Sequence, residues 1–298
     1  MQKSKQNLNA QDKQHILMLA PFLILFIVFT VLPVIISIVL SFTYFNMLDA
    51  PQFRGFMNYI KLFLDDDIFM TAVKNTLVFA LITGPVSYFA CLLFAWLINE
   101  MPHRVRSVLT LLFYAPSMSG NIFIIWTFIF SGDMRGLLNS TLLSFGLIDE
   151  PINFFLDPRY MIPCLIIVQL WLSLGAGFLS FMAGLQGIDR QMYEAGAIDG
   201  VKNRWQELWY ITLPSMGPQL MFGAVMQISS SFAVGGIVMQ LAGFPSTDYA
   251  AETVVTMLMD YGSIRFEMGY ASAIASILFL AMIFTNSLIR AVLARVSD

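Results

Sequence analysis

Six long stretches of this sequence contain no Asp, Glu, Lys, Arg or His, and that pattern sets the class of fold. They cover residues 16–44, 75–98, 108–130, 160–185, 215–241 and 270–289, with Arg290 the first ionisable group past the last of them. A bilayer core about 30 Å thick is crossed by about 20 mostly apolar helical residues, so each stretch is long enough to span it. Inside hydrocarbon the backbone must satisfy its own polar groups, which favours helix for such runs. Composition agrees: 58% of the residues are hydrophobic and only 12% charged. A soluble core of this size could not bury so much apolar surface. The expectation is an all-α membrane protein with six transmembrane helices. Residues 1–15 form a tail, 16–293 the transmembrane domain and 294–298 a second tail. The first stretch is too long for the apolar core of a secretory signal, and no small-residue cleavage site follows it, so it reads as an uncleaved anchor. Pro21 and Pro33 within it predict kinks.

Basic residues fix an expected orientation. If the spans alternate, Lys3, Lys5, Lys13, Arg104, Arg106, Arg190, Lys202, Arg204, Arg290 and Arg295 share one side. The other side holds six basic residues but twelve acids, including the run Asp65-Asp66-Asp67. The positive-inside rule counts the basic residues and places both termini in the cytoplasm. An even number of spans returns the chain to the same side.

Several chemistries are disfavoured. Proton- or ion-coupled transport needs ionisable groups within the membrane, and the six stretches have none. No charged ring or filter-like segment suggests a channel. His15 and His103 are the only histidines, and no zinc-protease or serine-hydrolase motif occurs, which argues against a membrane enzyme. No phosphate-binding Gly-x-x-x-x-Gly-Lys-Ser/Thr loop is present, so ATP hydrolysis by that route is not this chain's work. Cys91 and Cys164 lie inside apolar runs and read as packing residues rather than metal ligands, and the 19 methionines likewise suit helix packing. A net charge of −3 gives no reason to expect nucleic acid.

The one long connection on the basic side, residues 186–214, carries the functional signal. It reads as two short helices joined by a turn: Asp189 caps the first, Asp199-Gly200 makes the turn, and Pro214 restarts the chain at the membrane. Trp205, Leu208 and Trp209 fall on one face of the second helix. Glu194-Ala195-Gly196-Ala197 sets one carboxylate among very small side chains, a surface that a partner can approach closely; an amphipathic helix lying on lipid is the alternative.

Glu194-Ala195-Gly196, then Asp199-Gly200, then Ile211-Thr212-Leu213-Pro214 resembles the EAA loop of ABC importer permeases. The family pattern has Ala where this chain has Gly196 and Val201, and Val201 adds bulk at the turn. Phe53-Arg54-Gly55-Phe56-Met57-Asn58-Tyr59, Asn75-Thr76, Trp171, Gly243-Phe244-Pro245 and Tyr270-Ala271-Ser272-Ala273 are similar to residues of the carbohydrate-uptake group, so the resemblance covers about residues 20–290.

The resemblance implies a type I ABC importer permease fold in a bacterial cytoplasmic membrane. It implies a non-catalytic subunit that moves a sugar or oligosaccharide, with ATP and Mg bound by two partner ATPase subunits. A second related permease and an extracytoplasmic solute-binding protein complete the set, with membrane lipid around it. Glu194, Ala195, Gly196, Asp199, Gly200, Leu213 and Pro214 would couple to the ATPase. A non-sugar solute such as glycerol phosphate is the alternative cargo. For the substrate, neutral polar groups within the membrane are the candidates: Gln227, Ser229, Ser230 and Ser231 in the fifth stretch, Gln169 in the fourth and Asn121 in the third. Hydrogen bonding between helices is the competing role for each of them.

Overall fold

The computed structural model describes residues 10–118 and 123–297, and it is helical through most of them. The chain is helical from Ala10 to Leu40, as Ala10–Phe26 and Leu32–Leu40 joined by a π turn at Ile27–Val31. Proline removes a donor and crowds the carbonyl four residues back. The wider turn meets that demand just ahead of Pro33, with Leu32 N–H bonding Ile27 O five residues earlier. The helix stops at Leu40 rather than at 44, because Thr43–Tyr44 pairs as a short strand with Gln52–Phe53. Asn58 holds that corner, its amide donating to Ser41 O at 2.8 Å and Thr43 O at 2.9 Å. None of the apolar window in Leu17–Leu40 is buried within the chain, as suits a helix that crosses a membrane.

The second stretch is longer than its apolar run. Asp67–Asn99 is one helix of 33 residues, about 50 Å long. Asp66 caps it through Phe69 N–H at 3.1 Å. The Pro158–Leu172, Ala176–Gln186 and Gly217–Phe232 helices all pack on it. Cys91, Ala95, Phe178, Phe181 and Met216 are buried together where they meet, and Cys91 and Cys164 are free buried thiols.

Three of the expected spans are not single straight helices. The third comprises His103–Met118 and Phe123–Ile129, with axes 89° apart. The fourth breaks at 173–175, between Pro158–Leu172 and Ala176–Gln186. The fifth breaks at 233–235, leaving Gly217–Phe232, about 24 Å long, and the short Gly236–Leu241. The sixth, Met268–Ser297, is apolar through Val292. Among the described residues four helices are long and apolar enough to cross a membrane, and the bent pair gives a fifth. The stretch 215–241 is therefore not one continuous crossing.

Residues 242–269 are stitched to the Asp66 end of the long helix. Asn75, itself buried, donates to Ala250 O at 2.9 Å and Glu252 O at 2.8 Å. Thr76 Oγ1 accepts from Val254 N–H at 2.9 Å, and Tyr270 hydroxyl donates to Asp66 Oδ2 at 2.7 Å. Glu252 lies between them at 3% exposure with Oε2 unpartnered, and burial pushes its carboxyl up, against a hydrogen bond from Thr256.

Two outcomes follow from this stitching. Asn75→Ala orphans two carbonyls and should cost about 2 kcal/mol or more, read as a lower melting temperature in detergent; an unchanged melting temperature would show that water replaces the amide. For Glu252 the folded-state value lies above the unfolded value of about 4.3. Its contribution is intact below that unfolded value and is lost as pH rises toward the raised folded value. Glu252→Gln should therefore raise the melting temperature at neutral pH and flatten its decline with pH, whereas an equally steep decline would place the titrating group elsewhere.

Candidate functional site

The 186–214 loop folds as two helices about a glycine turn. Arg190–Ile198 starts at Asp189, whose carboxylate accepts from Gln191 N–H at 3.0 Å. It ends in the left-handed turn that the sequence called for: Gly200 has φ +98, and Val201 N–H reaches back to Gly196 O at 2.9 Å. That six-to-one bond is a Schellman closure, which normally carries an apolar contact between its two ends. Val201 makes that contact with Gly196, so its bulk turns inward rather than toward a partner. Gly196 has a further reason to be glycine: a Cβ there would stand 2.5 Å from Ile211 Cδ1. Its small size thus lets the first helix close on the second, and does not flatten the outer surface.

The second helix departs from expectation. Asn203 caps Arg204–Glu207, a π turn follows at Leu208–Thr212, and Leu213–Ser215 completes a continuous helical path. Pro214 sits inside this path rather than restarting it. The π turn accommodates it, with Leu213 N–H bonding Leu208 O. The same turn separates residues that a regular helix would align: Leu208 and Ile211 are buried, whereas Trp205, Trp209 and Tyr210 are exposed. Tyr193 hydroxyl and Thr212 Oγ1, 3.0 Å apart, lock the two helices together.

Along Arg190–Ile198 every residue but Tyr193 and Gly196 is exposed. Glu194, Ala195, Ala197, Asp199 and Gly200 are all exposed, and Glu194 is held only by Arg190 at 3.8 Å. Leu213 is half-buried and Pro214 exposed at the membrane side. Ile198 is 87% exposed at the tip, a residue sequence reasoning passed over. The available signal was an isolated branched apolar side chain beside the Asp199-Gly200 turn. The loop is fastened to the long helix: Arg204 bonds Glu100 at 2.9 Å and Glu207 at 2.7 Å, and the rings of Trp96 and Trp205 lie 5.1 Å apart. The Glu207 bond, with Glu100 beside it, holds the Arg204 guanidinium above its ordinary value.

The membrane candidates divide sharply. Gln227 is buried, and its amide donates to Ser173 O at 3.2 Å and Cys91 Sγ at 3.3 Å. Gln169 is buried too and donates to Ser230 O and Oγ, both at 3.3 Å. Ser231 is buried and bonds Ile228 O at 2.9 Å. The two glutamines hold helices together, whereas Ser231 bonds only within its own helix. Ser229 is half-buried, Ser230 is exposed, and Asn121 lies outside the described residues.

A cavity of about 180 Å³ opens where the fourth span breaks. Ser117, Ser173, Gly175, Gly177, Gln227 and Ser230 line it. Gly177 permits the close approach, since a Cβ there would stand 3.0 Å from Gln227 Nε2. The cavity offers hydroxyls and backbone groups and no charge, a surface suited to a neutral polar ligand. Gly175 and Gly177 had drawn no attention in the sequence, although two glycines beside Ser173 in an apolar run are a recognisable break signal.

Residues 99–298 match the family model described as binding-protein-dependent transport system inner membrane component. The chain is 31% identical over 268 residues to a probable ABC transporter permease protein, YesP, of Bacillus subtilis, covering 88% of this chain and 84% of that one. It is 32% identical over 211 residues to the lactose transport system permease protein LacF of Rhizobium radiobacter, covering 70% and 69%. Its fold is similar to that of a chain in the crystal structure of a bacterial alginate ABC transporter bound to an alginate pentasaccharide-loaded periplasmic protein. There the TM-score is 0.74 at 25% identity, over 95% of this chain and 96% of that one. The chain thus belongs to the binding-protein-dependent transport system inner membrane components, as a permease of the carbohydrate-uptake ABC type.

Proposed function

We propose that this chain moves a sugar or oligosaccharide across the cytoplasmic membrane by alternating access, driven by ATPase subunits that dock on its 186–214 loop. The observation that carries the reading is the exposed face of Arg190–Ile198, where Glu194, Ala195 and the protruding Ile198 stand on a closed glycine turn. A branched apolar side chain ringed by small residues and one carboxylate is a docking knob, and water is a poor occupant of its surroundings. Six crossings with both termini cytoplasmic fit this reading, with the fifth crossing built from Gly217–Phe232 and the helical path before it. ATP and Mg belong to the ATPase partners.

A second permease completes the pathway. An apolar groove of about 380 Å³ runs between the Asp67–Asn99, Gly217–Phe232 and Met268–Ser297 helices, lined by Leu81, Pro85, Phe89, Ile228, Leu288 and Val292, and is shaped for another helix. The cavity at the fourth-span break would be this chain's half of the substrate route, with Ser230 the exposed hydroxyl of the candidate set. Uncharged walls that set a few hydroxyls among apolar groups suit a sugar. The lactose named for one relative and the alginate pentasaccharide of the solved transporter support that class of cargo, and the latter's periplasmic protein supports an extracytoplasmic solute-binding protein as donor.

Two measurements test the proposal. A photo-cross-linker at Ile198 in intact membranes should capture an ATPase subunit, and Gly200→Val should reduce uptake about tenfold or more, because a β-branched residue resists the left-handed turn. Capture of lipid alone, with normal uptake by Gly200→Val, would overturn the docking role. Ser230→Phe should fill the cavity and abolish uptake while the chain still inserts in the membrane, with a lower melting temperature from the lost bond to Gln169; full uptake by this variant would move the substrate route elsewhere.

A further inference from the structure

A second polar pocket lies at the opposite end of the bundle from the 186–214 loop, and the transport reading makes no use of it. It has a volume of about 250 Å³ and sits between the Thr43–Tyr44 strand, the Met57–Leu64 helix and the start of Met268–Ser297. Tyr44, Arg54, Lys61, Asp65, Glu267 and Tyr270 stand in its wall. The Arg54 guanidinium lies 5.6 Å from the Tyr44 ring centre, and the Lys61 ammonium 4.6 Å from that of Tyr270. Tyr270 is itself fixed by its bond to Asp66. Among the described residues, Arg54, Lys61, Asp65 and Glu267 make no ion pair and no side-chain hydrogen bond. Two cations and two carboxylates around one cavity, none paired with another, suit a ligand that carries both signs.

The Met57–Leu64 helix shows where such a ligand comes from. Its buried side chain is Leu62, while Met57, Ile60 and Leu64 are 57%, 47% and 78% exposed. Their spacing puts these three on the face that also carries Lys61. An apolar face with a snorkelling lysine is the signature of a helix lying at a membrane interface. Both this helix and Leu32–Leu40 pack on Met268–Ser297, and Asn58 and Tyr59 bond to Ser41 at the end of the first span. This helix thus lies beside the end of the unburied, apolar Leu17–Leu40 helix.

We propose that this pocket binds the head group of a phosphoethanolamine phospholipid. Arg54 and Lys61 take the phosphate, and Asp65 and Glu267 accept hydrogen bonds from the primary ammonium. The acyl chains run along Met57, Ile60 and Leu64 to the exposed flank of the first span. A choline head group brings charge but no N–H, and a glycerol head group brings O–H donors but no charge, so neither offers the carboxylates the charge-assisted hydrogen bonds of a primary ammonium.

The test uses the full chain, with whatever subunits accompany it, in nanodiscs containing both phosphatidylethanolamine and phosphatidylcholine. The protein is re-extracted in mild detergent and the retained lipid is quantified by native mass spectrometry. Retention should favour phosphatidylethanolamine by about tenfold over its share of the disc, the factor that charge-assisted hydrogen bonds supply. Asp65→Asn with Glu267→Gln should erase the preference, and Arg54→Gln with Lys61→Gln should reduce retention of both lipids. Melting temperatures in phosphatidylcholine discs check that the variants fold, and the wild-type preference is decisive by itself. Equal retention of the two lipids by the wild type overturns the proposal. So does a preference that survives Asp65→Asn with Glu267→Gln in a folded variant. A photo-cross-linker at Ile60 should label lipid; capture of a protein subunit there would make this face a protein interface and overturn the lipid site.

Discussion

A backbone inside hydrocarbon has no water to turn to, so a broken helix survives only where protein supplies the missing partners. This chain breaks two of its apolar stretches within the described residues and answers both breaks. At the fourth-span break, Ser173 O accepts from Gln227 at 3.2 Å, while Ser173 Oγ bonds Ser87 and Leu170 O. At the fifth, Val234 O accepts from Thr253 Oγ1 at 2.9 Å. The donors come from different places: Gln227 projects from the neighbouring helix, and Thr253 from the segment that closes the opposite end. Each break thereby ties together elements far apart in sequence. Irregular backbone at this depth is expected where it lines a cavity, and the fourth-span break does so.

The Asp67–Asn99 helix joins the two ends of this arrangement. At one end Asp66, Asn75 and Thr76 hold residues 242–270 through hydrogen bonds to Tyr270, Ala250, Glu252 and Val254. At the other, Glu100 and Trp96 hold Arg204 and Trp205 of the loop. The first set is largely buried, so its bonds contribute through the cost of leaving a partner unmet. The second is exposed; a surface ion pair of this kind contributes at most about 1 kcal/mol. Residues 242–270 are thus held firmly to the long helix and the 186–214 loop lightly. In the proposed docking role, that inequality would let the loop follow a partner while the far end keeps its closure.

Much of this was legible in the sequence, for reasons that differ by element. The apolar runs fix which segments are membrane helices because the bilayer imposes a length. The loop was readable because capping and turn chemistry are local: Asp189 and Gly200 do what their side chains dictate wherever they occur. The breaks were not readable from hydropathy averaged over a span, since Ser173 to Gly175 and Ala233 to Gly235 carry no charge and sit inside long apolar runs. Trp205, Leu208 and Trp209 do not share one face as their spacing suggests, because a π turn changes the angular spacing on which the face assignment depends. Gly196 and Val201 appeared as outward departures from a family pattern; only the fold shows them facing each other and Ile211.

The fate of Gln227 bears on how a permease of this kind selects its cargo. Among intramembrane side chains it is one of the best equipped to recognise hydroxyls, yet both amide hydrogens are spent on Ser173 O and Cys91 Sγ. Gln169 is committed in the same way to Ser230. Releasing either would leave buried acceptors unmet, a cost of about 1–3 kcal/mol that a single sugar hydroxyl barely returns. The strongest hydrogen-bonding groups therefore serve to tie helices together, and the free polar groups left in the cavity wall are small hydroxyls and backbone beside Leu172 and Met226. On the proposed substrate route, a surface with so few directed donors would discriminate weakly among sugars. Discrimination would then fall to the proposed partners, a second permease across the groove or a binding protein that has already chosen the sugar. The same few groups cannot hold the helices together at a break and also recognise the cargo, and here the sequence spends them on the helices.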